Sequence, residues 1–254
     1  MLQELLELNI FAFFLIFSRI GAAFSIMPGF ASGFVAARIR LSIALAITFV
    51  LMPVIGPNLP DLPKSITLLS LLIINEVIIG SFIGFIARLL LGALQTAGTF
   101  IAYSSSLANA LINDPVSEQQ TSTISGFLMT MGMVLVFVSD FHHLMLSALV
   151  ESYSVFVPGS KMPAGDFSDF FSNTVSRSFA LGLQLAMPFV IVGLTFNIGL
   201  GLLGRLMPAL PVFFFGMPAQ IAIQFWVFTI TLSGIMLVFL KKFQDAYVSF
   251  LTPL

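Results

Sequence analysis

The residues of this chain that could do chemistry are few, and each meets an obstacle. Glu76 and Asp140 lie within or at the ends of apolar runs. A charge at mid-membrane costs at least ~2.5–3.5 kcal/mol on insertion scales, so an acid in such a place needs a function or a partner. A proton relay is one possibility. Pairing with an Arg of a neighbouring helix or chain, or a position at an interface, is the other. Proton pumps line one path with more ionisable groups than these two, which favours pairing. His142-His143 suggests a metal or an intramembrane protease. Adjacent helical residues point about 100° apart, so the pair cannot chelate one ion without help. There is no His-Glu-x-x-His zinc motif and no Gly-x-Ser-x-Gly to supply a serine nucleophile. Structural histidines at a membrane boundary are the expectation. A Walker A phosphate loop is absent, which excludes ATP chemistry in this chain. Without cysteine, disulfides, Cys-ligated zinc, Fe–S clusters and thiol catalysis are excluded too. No catalytic residue, metal or cofactor is expected.

Spacing says more about packing than about reactions. Glu76, Gly80, Gly84, Arg88 and Gly92 recur every four residues and so form one slowly drifting stripe on a helix. Gly193, Asn197, Gly201 and Arg205 repeat the pattern near the other end. Lipid-facing glycine is common in membrane helices. Two independent series nevertheless point to close helix–helix interfaces with polar groups buried in them.

The elements that carry these residues follow from composition. Of 254 residues, 58% are hydrophobic and only 8% charged, with 29 Phe and a mean hydropathy of +1.08. Ordinary globular chains have about 45–50% and 25%. Ten Lys/Arg and eleven Asp/Glu cannot cover the surface of a soluble domain this large. The solvent for most of the chain is therefore lipid or other apolar protein. A net charge of -1 gives no electrostatic reason to bind nucleic acid.

Hydrophobic segments run at about 5–28, 41–56, 66–87, 89–111, 124–149, 178–204 and 212–240. Most reach the roughly 20 residues that cross a bilayer core. Only Arg88 separates the third from the fourth, which leaves one long helix or a tight hairpin open. The expectation is an all-α membrane protein of six or seven hydrophobic helices in hairpins, in one domain over 1–254. The acidic start, with no basic stretch and no small-residue cleavage site, reads as a retained first span rather than a signal peptide.

Breaks are expected at Pro28-Gly29, in the rigid run from Pro53 to Pro63, and at Met207 to Pro211. Polar loops are expected at about 112–123 and 151–175. On a seven-span reading with the N-terminus outside, Arg38, Arg40, Arg88, Lys161, Arg177, Lys241 and Lys242 fall on the cytoplasmic side. Only Lys64 and Arg205 fall outside, which favours N-out and C-in.

A resemblance adds to this. Arg19-Ile20-Gly21-Ala22 through Pro28, then Arg38-Ile39-Arg40, look like the start of the FliR family of type III export-gate proteins. Glu76-x-x-x-Gly80-x-x-x-Gly84, Asp114-Pro115 and Phe141-His142-His143-Leu144 match its middle in order. The most specific match is Pro188, then Asn197-Ile198-Gly199-Leu200-Gly201-Leu202-Leu203-Gly204-Arg205-Leu206-Met207-Pro208, then Phe215-Gly216-Met217-Pro218. The family commonly has Pro-Gln-Leu-Asn where this chain reads Pro208-Ala209-Leu210-Pro211, and Gly where Phe141 stands. Those departures bear on the turn between the last helices, for which Pro208, Gly216 and Pro218 are the structural residues.

The resemblance implies a non-enzymatic pore subunit of the flagellar export gate at the bacterial inner membrane, within the basal body and partly raised to the periplasmic side. It implies a pseudo-helical assembly with FliP-like and FliQ-like subunits, with FlhB-like and FlhA-like proteins nearby. Unfolded flagellar proteins would be the cargo, and membrane lipid a further contact. It also makes the polar stretch Asn113, Asp114, Pro115, Ser117, Glu118, Gln119 and Gln120 the plug of the pore. An injectisome gate subunit is the alternative. A stand-alone secondary transporter is disfavoured by the lack of repeated halves and of polar groups for a substrate. An intramembrane hydrolase lacks its nucleophile.

Overall fold

The computed structural model describes residues 2–31, 33, 35–107, 111–113, 120–160, 164–207 and 211–251. Seven α-helices dominate them: α1 Leu2–Ile26, α2 Ala37–Ile55, α3 Ile66–Ser104, α4 Thr123–Val138, α5 Phe141–Val155, α6 Ala164–Leu206 and α7 Val212–Leu251. A short 3-10 turn, Gly56–Asn58, follows α2. Between α3 and α4 two three-residue strands, β1 Leu111–Asn113 and β2 Gln120–Ser122, pair antiparallel, Ile112 opposite Thr121. The chain is thus an all-α membrane protein with one small β-ribbon.

Several boundaries differ from the expectation. The third and fourth apolar segments form one continuous helix, α3, of 39 residues. Arg88 interrupts the hydropathy but not the backbone, because arginine is among the good helix formers. The single segment expected at 124–149 is instead two helices, α4 and α5, bent by 74°. The break falls at Asp140, which holds a left-handed φ of 59°, a conformation that its short polar side chain tolerates better than most.

The polar loop expected at 151–175 shrinks, since α5 runs to Val155 and α6 begins at Ala164. Phe167, Phe170 and Phe171 recur at helical spacing and reach Phe82 and Phe85 of α3, with ring centroids 4.3–5.7 Å apart. That apolar face outweighs the polar composition of the segment. Pro53 lies inside α2 rather than starting a non-helical turn; it cannot donate to the carbonyl four residues back, and the helix ends two residues later. Arg88, Arg177, Lys241 and Lys242 all lie inside helices. Counting cations loop by loop on seven spans therefore does not apply.

Four helical stretches are long and apolar enough to cross a membrane, namely Ala37–Asn58, Ile66–Ser104, Phe167–Leu206 and Phe214–Val248. The bent pair α4–α5 makes a fifth if counted as one span. The chain packs as two compact units. The first takes residues 1–89, 139–173 and 244–254, the second 90–138 and 174–243. In the first, Ile16, Ile20 and Phe24 of α1 pack with Ala44 and Ile55 of α2, Ile79 and Ile83 of α3, and Leu149 of α5. In the second, Leu94 of α3, Leu128 and Met133 of α4, Phe189 of α6 and Phe239 of α7 are all buried.

Candidate functional site

In the first unit the glycine stripe of α3 explains how a charged pair comes to lie among apolar helices. A Cβ at Gly80 would overlap the carbonyl oxygen of Arg19, and one at Gly84 would stand 2.7 Å from that of Ala23. Glycine at both positions lets the backbone of α1 lie directly on α3. One helical turn before Gly80 stands Glu76, and this close approach delivers Arg19 to it.

The Arg19 guanidinium holds Glu76 in a fork, Nε to Oε2 at 2.6 Å and Nη2 to Oε1 at 3.1 Å. The two residues are 0% and 1% exposed. Nη1 donates to Ser152 Oγ at 3.1 Å, and Nη2 also to the Phe156 carbonyl at 2.8 Å. Cζ sits 3.9 Å from the ring centroid of Tyr153, whose hydroxyl donates to the Ile16 carbonyl at 3.3 Å. Most of the five guanidinium N–H groups are satisfied, which is the condition for a buried ion pair to be tolerable. Of the two roles open to Glu76, this geometry matches pairing: α1, α3 and α5 meet on one neutralised charge pair.

The remaining stripe residues fall elsewhere. Arg88 is exposed, and the space around Gly92 is open. In the second unit a Cβ at Gly193 would lie 2.9 Å from the Ser104 carbonyl and 3.1 Å from Gln224 Nε2. Asn197, Gly201 and Arg205 are exposed, and nothing lies within 4 Å of a Cβ built at Gly201. Around them Ile198, Leu202, Leu206, Phe214 and Phe215 are also exposed. Gly216 and Pro218 lie inside α7 rather than in the turn before it. A Cβ at Gly216 would press on Leu200 of α6. Pro208 lies outside the described residues.

The polar segment between α3 and α4 also belongs to the second unit. Asp114, Pro115, Ser117, Glu118 and Gln119 lie outside the described residues, while Asn113 and Gln120 face one another across the β-ribbon. Its far end is pinned by serines. Ser122 Oγ donates to Ser125 Oγ at 2.9 Å and accepts from the Ser125 N–H at 3.2 Å, and Ser125 Oγ reaches the Gln95 carbonyl at 3.1 Å. A Cβ at Gly98 would overlap the Ser125 backbone, so α3 and α4 touch there.

Asp140, His142 and His143 gather at the α4–α5 bend, with ligand-type atoms all within 4.8 Å of one another. The two imidazoles lie with centroids 4.2 Å apart, and His143 Nδ1 is 3.8 Å from Asp140 Oδ1. Tetrahedral zinc with bonds of about 2.0–2.2 Å draws its ligand atoms closer than that.

Comparison with known proteins covers most of the chain. The sequence model of the bacterial export proteins, family 1, matches residues 10–246. The flagellar biosynthetic protein FliR of Caulobacter vibrioides is 36% identical over 231 residues, covering 91% of this chain and 92% of that one. FliR of Bacillus subtilis is 29% identical, covering 92% and 90%. The Yop proteins translocation protein T of Yersinia pestis is 31% identical, covering 88% and 86%.

Proposed function

From the premise that the chain belongs to the bacterial export proteins, family 1, we propose that it is a non-enzymatic pore subunit of the flagellar type III export gate. It contributes to the passage of unfolded flagellar proteins across the inner membrane. The observation that carries this reading is similarity to FliR proteins over nine-tenths of both chains. Similarity to the Yersinia protein makes an injectisome gate the second reading.

The described geometry supports a gate subunit over a stand-alone transporter. At 1.5 Å per residue, α3, α6 and α7, of 39, 43 and 40 residues, are each about 60 Å long. A bilayer core is ~30 Å thick. Each helix therefore carries about half its length beyond one core, which suits a subunit raised toward the periplasm and buried by other apolar chains. The exposed apolar surface around Gly201 suits FliP-like and FliQ-like neighbours, with FlhB-like and FlhA-like proteins at the entrance. Glycine stripes and such a surface leave the chain alone poorly stabilised.

The segment from Leu107 to Thr123 acts as the plug. A pore wide enough for an unfolded chain leaks ions unless something closes it. Most side chains of this segment are small or polar, and a segment with little apolar surface to bury opens at little cost.

Deleting the gene should abolish flagella and swimming, with recovery on complementation, and the tagged chain should copurify with FliP-like and FliQ-like proteins. A deletion strain that swims normally, or purification of the chain as a stable monomer indifferent to those partners, contradicts the proposal.

A further inference from the structure

The charges of the second unit are few and unbalanced. Its residues, 90–138 and 174–243, hold four cations, Arg177, Arg205, Lys241 and Lys242, and two acids, Asp114 and Glu118. The acids fall between α3 and α4, so the parts of α6 and α7 within the unit carry cations alone. Arg205 stands near the end of α6, and the other three lie far from it.

Contacts between α6 and α7 put those three at one level. A Cβ at Gly216 would press on Leu200, and the rings of Phe189 and Phe228 lie 5.9 Å apart, so the two helices run antiparallel in fixed register. Going away from the Phe189–Phe228 pair, Arg177 comes 12 residues along α6 and Lys241 13 residues along α7. At 1.5 Å per residue both stand roughly 18–20 Å from that pair. Lys242 follows directly.

The surface changes character at this level. Toward Arg205, residues 178–204 and 212–240 hold no charge, and Phe179, Leu237 and Val238 are exposed within the first turn. In the other direction the next charges are acids, Asp169 on α6 and Asp245 on α7. Apolar surface, then cations, then acids follows the passage from acyl chains through phosphates to water. A hydrocarbon core of ~30 Å takes about 20 helical residues, which leaves Arg205 beyond its far boundary.

Arg177 and Lys241 are exposed and make no ion pair among the described residues. Their counter-charge must come from outside the chain. A phosphodiester supplies it where the hydrocarbon ends: a guanidinium forks two of its oxygens, and an ammonium attracts it as a point charge. A zwitterionic headgroup brings its own cation to that phosphate, whereas an anionic one leaves the phosphate charge unbalanced.

We infer that Arg177 and Lys241 form a headgroup site on α6 and α7 that selects anionic over zwitterionic phospholipid. It rests on the membrane placement of the proposed function and on nothing about cargo.

The test keeps the whole chain in its assembled complex, in phosphatidylcholine vesicles. The chain has no cysteine, so Leu237→Cys, exposed one turn from Lys241, carries a fluorophore beside the site once any cysteines of the partners are replaced. Traces of phosphatidylglycerol or of phosphatidylcholine, each spin-labelled on the acyl chain, quench it according to their local concentration. One Lys or Arg near the headgroups is worth about fivefold, so the phosphatidylglycerol should quench as if enriched at least about fivefold. Arg177→Gln with Lys241→Gln should remove most of that preference. Arg177→Lys with Lys241→Arg, which keeps both charges, should retain most of it, and Arg205→Gln should leave it unchanged. Equal quenching by the two lipids in the parent overturns the site and points to acidic groups of a neighbouring subunit as the counter-ions. A preference undiminished in the Gln double variant overturns it too. The readout involves no export, so loss of the gate reading leaves the site standing, and loss of the site leaves the gate reading standing.

Discussion

The two units solve the same problem in opposite ways. Each must bring polar groups into an apolar helix bundle. The first does it with full charges, Arg19 and Glu76, forked together and closed off by Ser152, Phe156 and Tyr153. The second does it with neutral amides and hydroxyls, Gln220 and Gln224 on one side of the polar segment and Ser122 and Ser125 on the other. A buried charge that loses its partner is ruinous; a buried amide that loses one is merely inconvenient. The charged network therefore suits a part that must never come apart. The neutral one suits the opening proposed for the polar segment.

Breaking the charged network should have the largest effect. Glu76→Ala leaves Arg19 buried without its counter-charge, and a loss of about 3–5 kcal/mol is expected. Unfolding of the purified complex in detergent measures it. Replacing both partners, Arg19→Met with Glu76→Leu, should recover most of the loss. If the double variant is as unstable as the single one, the pair has a role beyond mutual neutralisation.

Next comes the glycine stripe that delivers Arg19. Gly80→Ala should cost about 1–3 kcal/mol, because the new methyl meets backbone rather than a movable side chain. Gly92→Ala, with open space around it, should stay within about 0.5 kcal/mol in the same assay. Equal losses would show that the contact of α1 with Gly80 does not set the outcome.

A smaller change, of opposite sign, is expected at the neutral end. Ser106→Gly relieves a left-handed serine, a strain of about 1–2 kcal/mol offset in part by the greater freedom of unfolded glycine and by loss of the Ser106 Oγ bond to Gln220 Oε1. The net stabilisation should be under about 1 kcal/mol, seen as a small rise in the unfolding midpoint. The smallest effect on the fold belongs to Gly201→Leu, since its surroundings are empty within the chain. Limited proteolysis of the chain should be unchanged while copurification with FliP-like and FliQ-like proteins falls. Normal copurification would remove Gly201 from the subunit interface.

Much of this was legible in the sequence, and the failures have physical causes. Apolar runs located the helices, and four-residue glycine spacing marked the face of α3 that receives α1. The unity of α3 was not legible because hydropathy registers Arg88 as a gap, whereas the backbone does not. The bend at Asp140 escaped because no Gly or Pro announces it.

Glu76 could be seen to need a cation, but Arg19 is 57 residues away, and only tertiary packing selects it. The signal available was two opposite charges, each set within an apolar run. Gln220 and Gln224 were overlooked for a related reason. Neutral amides carry no charge that demands a counter-ion, so nothing flagged them as partners of a helix end.

Ion permeability of membranes carrying the complex with Asn113 to Gln120 deleted tests the gate most directly. Near-normal assembly together with a clear rise in leakage of small ions is the predicted result. A complex that assembles and stays as tight as the parent contradicts the assignment of this segment as the plug.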